Sequence, residues 1–250
     1  MLLRLPTSVS EAQECMAEGA VPIGGATLVW ATWQRDGFPE QAMSLRDLPE
    51  ANSIGRETLG GAVILNRIDD RVPEALRRAA ATVGTGAVRR TATVGGNIVG
   101  STLRCLLPAA LVLEARAVVL EPDSVYETDL TEVLAKGHLL LSLRWRDPLA
   151  SAYRKLAGEA GGPPPLVVAA ALHTADTGGT RLRVAVRDGY DVLTESTEYD
   201  TGSSSGYGSD SDSERVLDDL RRTAVGALHA TAWEAVHQLV TDLLSRPTGR

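Results

Sequence analysis

The apolar residues of this chain occur in short clusters that glycine and proline interrupt, and their spacing changes repeatedly between helix-like and strand-like. A capping box at Ser8–Glu11, followed by Gly19, predicts a helix at Val9–Glu18, and Pro73 and Gly84 bound a predicted helix at Pro73–Val83. Further helical segments are predicted from Leu28 onward and at Leu106–Leu113 and Val216–Leu244. Short apolar runs predict strands at Ser44–Leu48, Gly60–Leu65, Ala117–Leu120, Leu139–Trp145, Leu166–Leu172 and Arg181–Val186. Many short elements of both kinds predict an α+β fold, with a domain boundary near Arg146–Ser151.

Composition narrows the class of protein. The chain has 250 residues, 44% of them hydrophobic, which is enough for the core of one large domain or two small ones. The longest apolar stretch, Cys105–Leu113, contains a proline and is far shorter than the ~18 residues of a membrane helix, so no membrane partner is expected. Met1–Ser10 has no sustained apolar run, and a secretory signal is therefore not expected. Two cysteines, Cys15 and Cys105, are too few for a disulfide framework or an iron–sulfur cluster and favour a cytoplasmic location.

Negative charge is concentrated in one stretch of the sequence. Asp188–Asp219 contains ten acidic residues and one basic residue, so this stretch carries −9 and the rest of the chain +2. No basic stripe with interleaved aromatic residues occurs, and nucleic-acid binding is not expected. Within the stretch, Thr201–Ser213 contains only Thr, Gly, Ser, Tyr and Asp, which predicts a mobile acidic Ser/Gly-rich loop at about 195–214. Gly202–Gly206 matches the GxSxG nucleophile elbow, but its low-complexity context favours a linker.

Two glycine pairs are the features most typical of a binding site. Gly24-Gly25 lies within Pro22–Leu28, and Gly95-Gly96 lies within Thr93–Ile98. Glycine permits a positive φ and lets a ligand approach the main chain closely. Successive N–H groups in such a turn form a concave set of donors that suits a diphosphate. One pair alone would indicate only a tight turn, whereas two pairs after similar apolar stretches favour phosphate binding.

Other motifs are weaker candidates. His229, Trp233 and His237 recur at four-residue spacing on one predicted helix face, but no cysteine or carboxylate pattern completes a metal site, so no metal is expected. Gly84-Thr85-Gly86 lacks the third glycine of a dinucleotide-binding fingerprint. No general acid or base stands out, and no catalytic residue is assigned.

Three runs occur in order along the chain: Pro22–Leu28 (PIGGATL), Ala87–Ile98 (AVRRTATVGGNI) and Leu106–Ala115 (LLPAALVLEA). They resemble the patterns A-G-G-T-[DN]-L, I-R-N-x-A-T-I-G-G-N-[IL] and D-L-x-P-A-L-L-A-L-x-A. These patterns belong to the FAD-binding subunits or domains of molybdenum hydroxylases, of the carbon monoxide dehydrogenase and xanthine dehydrogenase type. The resemblance covers Leu2 to about Leu120 and extends weakly to Leu172.

The resemblance implies an FAD-binding fold of the PCMH, or vanillyl-alcohol-oxidase, type over residues 1–148, with subdomains of about 1–55 and 56–148. A small α/β domain is implied over 149–250. In such proteins the two glycine loops wrap the pyrophosphate of FAD, with backbone N–H groups and the Asn97 side chain as expected contacts. The residues implied to bind FAD are Ile23, Gly24, Gly25, Ala26, Thr27, Leu28, Thr93, Val94, Gly95, Gly96, Asn97 and Cys105.

This chain departs from the family pattern in three places. Ala26-Thr27 stands where Thr-Asp or Thr-Asn is common, which keeps a hydroxyl but loses a carboxylate or amide. Cys105 stands where an Asp precedes L-x-P, and a thiol accepts hydrogen bonds from cofactor hydroxyls poorly. The competing interpretation of Cys105 is a small buried apolar side chain. The acidic serine-rich insertion replaces the usual middle of the C-terminal domain.

The function implied by the resemblance is that of an FAD-binding oxidoreductase component. As a flavoprotein subunit it would transfer electrons through FAD, with iron–sulfur and molybdopterin partners on other chains. The departures at Thr27, Cys105 and the C-terminal domain leave two alternatives open. One is a stand-alone flavin-dependent dehydrogenase or oxidase that acts on a small-molecule substrate. The other is a degenerate relative without FAD that acts as a binding or scaffold protein.

Overall fold

The computed structural model of the chain describes residues 1–158, 161–176, 178–199 and 210–246. Its mixture of helices and sheets confirms the predicted α+β class. Among the described helices, none has both the length and the apolar character that a bilayer crossing requires. The chain divides into two compact units. Unit 1 comprises Met1–Val72, Ala80–Leu106 and Ala115–Arg146, and unit 2 comprises Pro73–Ala79, Leu107–Glu114 and Asp147–Arg250.

The regular elements are short. The strands are β1 (Leu2–Arg4), β2 (Val21–Pro22), β3 (Gln41–Met43), β4 (Ile54–Gly55), β5 (Thr58–Gly60), β6 (Arg116–Leu120), β7 (Val125–Asp129), β8 (Leu139–Arg144), β9 (Ala150–Lys155), β10 (Val167–Thr174), β11 (Thr180–Asp188) and β12 (Asp191–Tyr199). The helices are α1 (Val9–Ala17), α2 (Val29–Asp36), α3 (Glu74–Ala81), α4 (Gly86–Arg89), α5 (Leu107–Val112), α6 (Leu130–Lys136), α7 (Asp210–Arg221) and α8 (Ala230–Leu244).

Unit 1 contains two sheets. A parallel sheet has the strand order β1-β3-β2, and an antiparallel sheet has the order β4-β5-β8-β6-β7. Helix α1 begins as predicted, because the Ser8 hydroxyl accepts a hydrogen bond from the Glu11 N–H. Its buried face, Ala12 and Cys15, joins a core with Met43 of β3. The parallel sheet therefore has a helix packed on it immediately before the first glycine loop.

Two predicted strands of unit 1, Ser44–Leu48 and Gly60–Leu65, are wrong. Residues Leu45–Asp47 and Pro49–Asn52 form consecutive 3-10 turns instead. The Asn52 side-chain amide donates to the carbonyl oxygens of Leu45, Arg46 and Leu48 at 2.9, 3.0 and 2.8 Å. Because a side chain satisfies these carbonyl groups, the segment needs no neighbouring strand.

The strand that was predicted to run through Gly60-Gly61 ends there. A Cβ atom at Gly60 would lie 2.1 Å from the Ala51 carbonyl oxygen, and one at Gly61 would lie 2.1 Å from the Leu140 carbonyl oxygen. Strand β5 therefore gives way to a segment in which main chain packs directly on main chain, which only glycine allows.

Unit 2 contains an antiparallel sheet in the order β12-β11-β10-β9. Helices α7 and α8 share one core with this sheet, and α8 buries a stripe at helical spacing: Ala232, Ala235, Val236, Leu239, Val240 and Leu243. The predicted α/β pattern for residues 149–250 is not found. Consecutive antiparallel strands connect through short turns such as the one at Gly189, whose φ is 60°, whereas parallel strands would need crossover helices.

The acidic segment is more ordered at its ends than predicted. Residues Asp191–Tyr199 form β12, and the first turn of α7 begins at Asp210, while 200–209 lie outside the described residues. The single predicted helical segment Val216–Leu244 is also divided into α7 and α8. Gly226 lies in the break, where a Cβ atom would be 2.1 Å from the Arg221 carbonyl oxygen.

His173 is a buried titratable group in unit 2. It is 6% exposed, and its Nε2 lies 2.7 Å from the Val112 carbonyl oxygen at the end of α5. Burial lowers the pKa of His173 below its ordinary value of 6.5, outweighing the Val112 carbonyl and the Glu114 carboxylate, which favour the charged ring. Arg181 and Arg183, both bound to Glu114, also lower this pKa.

We expect the free energy of unfolding to decrease as the pH falls below 6.5, because the unfolded chain takes up a proton that folded His173 resists. The variant His173→Gln removes the titrating imidazole, so its urea unfolding midpoint should change less than that of the wild type between about pH 7 and about pH 5. His237→Gln, at an exposed position on α8, should keep the wild-type dependence. An unchanged dependence in His173→Gln would contradict the assignment.

Candidate functional site

The first glycine loop connects β2 to α2. The Ile23 N–H donates to the Met43 carbonyl oxygen at 2.8 Å, which fixes the end of the strand. The next five N–H groups, from Gly24 to Leu28, donate no hydrogen bond to any residue that the structure describes. Gly24, Thr27 and Leu28 are also exposed. The loop thus offers five successive donors to a ligand or to water.

The conformation of this loop is not a simple extension of the strand. Ala26 has a φ of 56°, in the left-handed region that costs a residue with a Cβ on the order of 1 kcal/mol. Its carbonyl oxygen accepts from the Trp30 N–H at 3.2 Å and so starts α2. A left-handed residue within a row of unpaired N–H groups is typical of anion-binding backbone nests. The local structure therefore supports the phosphate-binding prediction.

The two glycine loops lie against each other in unit 1. A Cβ atom at Gly24 would be 2.5 Å from Thr93 Oγ1, and one at Gly25 would be 1.6 Å from the Thr91 carbonyl oxygen. Only glycine can bring the main chain of the first loop this close to the segment that precedes the second pair. The structure therefore brings together the two motifs that the sequence separates by about 70 residues.

The second loop differs from the first in how its donors are used. Thr93, Val94 and Asn97 are buried, and Gly95 and Gly96 are half-buried. Four successive N–H groups are engaged inside unit 1: Val94 to Val63 O (3.0 Å), Gly95 to Gly61 O (2.8 Å), Gly96 to Thr93 Oγ1 (3.2 Å) and Asn97 to Thr93 O (2.9 Å). The second loop thus supports the first, and its N–H groups are not free donors.

Asn97 and Cys105 lie at the two ends of one nine-residue segment. Asn97 is 6% exposed, and its Oδ1 accepts from the Leu106 N–H at 2.9 Å. Cys105, the residue before Leu106, is 3% exposed. The amide oxygen of Asn97 therefore closes the 98–105 segment, while direct contacts of Asn97 and Cys105 with FAD stay predictions. The burial of Cys105 agrees with a packing side chain.

Sequence reasoning missed two features beside the loops. Helix α2 buries none of its residues and carries Trp30 and Trp33, whose rings lie edge-on to Phe38 with centroids 5.3 and 6.2 Å apart. Three of the ten aromatic residues therefore follow the first loop closely. The three-residue spacing of Trp30 and Trp33 in the sequence could have indicated that they share one helix face. The second feature is the role of the Gly60-Gly61 pair, which was predicted only as part of a strand. The Gly61 carbonyl oxygen accepts a hydrogen bond from the Gly95 N–H.

The other sequence candidates have structural roles or cannot be placed. His229 caps α8 by accepting from the Ala232 N–H at 3.3 Å, and the His237 ring lies edge-on to Trp233. In the part of the chain that the structure describes, no three His, Cys, Asp or Glu side chains are placed to hold a metal ion. The GxSxG match at Gly202–Gly206 lies outside the described residues.

A protein-family model described as the FAD binding domain in molybdopterin dehydrogenase matches residues 3–144, which is more than half of the chain. The chain belongs to this family. The predicted resemblance, the FAD-binding fold and FAD as the cofactor are thereby confirmed. The match also extends past the Leu120 at which the clear sequence resemblance ends.

Solved structures share this fold over nearly the whole chain. A Cu,Mo-CO dehydrogenase in its cyanide-inactivated form has a TM-score of 0.70 and 16% identity, covering 99% of this chain and 97% of that chain. Reconstituted CO dehydrogenase from Oligotropha carboxidovorans has a TM-score of 0.72, 16% identity and the same coverage. Quinoline 2-oxidoreductase from Pseudomonas putida 86 has a TM-score of 0.67 and 16% identity, covering 99% and 96%. No curated protein sequence matches the chain.

The contact between the loops generates a prediction for Gly25. In the variant Gly25→Ala the new methyl group would overlap the Thr91 carbonyl group, so the main chain must move. We expect a loss of stability of about 1–3 kcal/mol, the usual cost of overpacking, and loss of FAD uptake. Thermal unfolding and FAD fluorescence titration measure the two effects.

Gly100→Ala is the matched control, because its methyl group would lie at an ordinary 3.6 Å from Leu28 Cδ1. This variant should keep wild-type stability to within about 1 kcal/mol and should still take up FAD. A Gly25→Ala protein as stable as Gly100→Ala would show that the two loops do not meet as described.

Proposed function

We propose that the first glycine loop binds the diphosphate of FAD through its main chain. The observation that carries this proposal is the row of five N–H groups from Gly24 to Leu28, which have no partner among the described residues. Phosphate oxygens bind such rows of amide donors, and the N-terminus of the eight-residue helix α2 adds a favourable dipole. The loop fits the cofactor because Gly24, Thr27 and Leu28 are exposed, so a phosphate can approach these donors.

Other residues of this chain would keep the donors in position. Thr93 is buried, and its hydroxyl accepts from the Gly96 N–H, which holds the turn on which Gly24 and Gly25 rest. The exposed Thr27 provides a hydroxyl next to the row of N–H groups, at the position where the family commonly has a carboxylate or amide. The bound FAD would supply the redox chemistry, and the protein its position and electrostatic surroundings.

We further propose that this chain is the flavoprotein subunit of a multi-chain oxidoreductase. The chain covers 96–97% of a chain in the CO dehydrogenase and quinoline 2-oxidoreductase structures, which supports a subunit of a similar kind. Iron–sulfur and molybdopterin centres would then reside on partner chains, because Cys15 and Cys105 are both buried in this one. Cys15 and Cys105 form no disulfide with each other, which also supports a reducing compartment, the cytoplasm.

The isolated chain should bind FAD stoichiometrically and show flavin absorbance near about 450 nm. A chain that neither contains flavin nor takes up added FAD would overturn the proposed function. The subunit assignment has its own test, in which the tagged chain is purified from its natural source and the copurifying chains are assayed for molybdopterin and iron. Recovery of such chains supports the assignment, whereas turnover of a small metabolite by the flavin-loaded chain alone would replace it with a stand-alone enzyme.

A further inference from the structure

The segments that form the candidate site are almost free of charge. Residues 20–34 contain no charged side chain, and residues 91–106 contain one, Arg104. This is one charged residue in 31, whereas 23% of the whole chain is charged. A diphosphate is strongly negative, and the N-terminus of a helix contributes only about half a unit of positive charge. Arg104 is therefore the one charged side chain within these two segments, and Arg89 and Arg90 lie just before the second of them.

Among the residues that the structure describes, the Arg104 side chain has no hydrogen-bond or ion-pair partner. It is half-buried, and its Nε is buried without a hydrogen-bond partner among the described residues. No described carboxylate forms an ion pair with it, in contrast to Arg35, which binds the neighbouring Asp36 at 2.7 Å. An unpaired and partly desolvated guanidinium is costly, which favours the presence of an anion when the site is in use.

The backbone at Arg104 is strained as well. Its φ is 39°, and only three non-glycine residues in the described part of the chain have a positive φ: Ala26, Arg104 and Glu114. Two of the three therefore lie in the candidate site, one in each of its segments. Strained conformations persist where the surroundings impose them, and they concentrate at ligand-binding positions.

The position of Arg104 follows from contacts at both ends of its turn. A Cβ atom at Gly100 would lie 3.6 Å from Leu28 Cδ1, so the turn starts beside the last residue of the first loop. It ends at Leu106, whose N–H binds Asn97 Oδ1. Arg104 is two residues from that bond, within about 7 Å along the chain. Arg104 therefore lies in a segment whose start is beside Leu28 of the first loop and whose end is bound to Asn97 of the second.

We propose that Arg104 provides the positive charge that balances the FAD diphosphate, with its guanidinium bound to a phosphate oxygen. This inference rests on the proposed function, because it assumes that the diphosphate lies at the Gly24–Leu28 donors. Arg104 is a binding residue and takes no part in electron transfer.

The test compares FAD dissociation constants of the wild type, Arg104→Gln, Arg104→Lys and Arg144→Gln by flavin fluorescence. Arg144 is the matched control, an exposed arginine on β8 of the same unit. Loss of a charge-assisted hydrogen bond should weaken FAD binding at least about tenfold in Arg104→Gln. Arg104→Lys should lie between the two, since lysine keeps the charge but not the bidentate geometry, and Arg144→Gln should bind as the wild type does.

Two further measurements distinguish charge balance from packing. Raising KCl from about 50 to about 500 mM should weaken FAD binding more in the wild type than in Arg104→Gln. The melting temperature of the FAD-free Arg104→Gln chain should be no lower than that of the FAD-free wild type, because the variant loses an unpaired guanidinium. Unchanged FAD affinity in Arg104→Gln would overturn the inference, as would a lowered melting temperature with equal loss of affinity in Arg104→Lys. A wild-type chain that takes up no FAD would instead overturn the proposed function.

Discussion

The contact between the main chains of the two glycine loops is the constraint on which the candidate site depends. At Gly25 the approach to the Thr91 carbonyl oxygen leaves no room for a methyl group, and at Gly24 the neighbouring group is the Thr93 hydroxyl. The second loop can bear this contact because its own N–H groups are bound to Gly61, Val63 and Thr93. One loop is thereby held in place, and the other keeps its donors unpaired for a ligand.

The unpaired main-chain donors of the first loop explain why a chain with a formal charge of −7 can bind an anionic cofactor. The negative charge lies in the Asp188–Asp219 stretch, which belongs to unit 2, whereas the glycine loops belong to unit 1 and contain main-chain donors. Main-chain dipoles act over a few ångströms, so the donors of the Gly24–Leu28 loop attract a phosphate whatever the formal charge of the whole chain. Within residues 20–34 and 91–106, Arg104 is the only charged side chain.

Much of the fold and the importance of the glycine pairs were predictable from the sequence. Glycine requirements, helix caps such as Ser8 and the alternation of short apolar runs are local signals, and local signals are visible in one sequence. The strands predicted at Ser44–Leu48 and Gly60–Leu65 are wrong because side-chain hydrogen bonds and main-chain packing, which a run of apolar residues does not indicate, decided their structure. Asn52 caps carbonyl groups up to seven residues away, and Gly61 packs on Leu140. Which loop has free donors was likewise not predictable, since it depends on where Val63 and Gly61 lie.

Unit 2 draws its residues from three separate parts of the chain, Pro73–Ala79, Leu107–Glu114 and Asp147–Arg250. The Arg246 guanidinium binds the Glu74 carboxylate at 2.7 Å, although 172 positions separate the two residues in sequence. The Ala75 N–H likewise donates to the Ser151 hydroxyl at 3.1 Å. Contacts between residues that are so far apart in sequence slow folding, because a long loop of chain must be closed before they form. Unit 2 can therefore fold only after the ribosome has synthesised almost the entire polypeptide. A gene truncated near codon 148 would encode Pro73–Ala79 and Leu107–Glu114 without the sheet of unit 2.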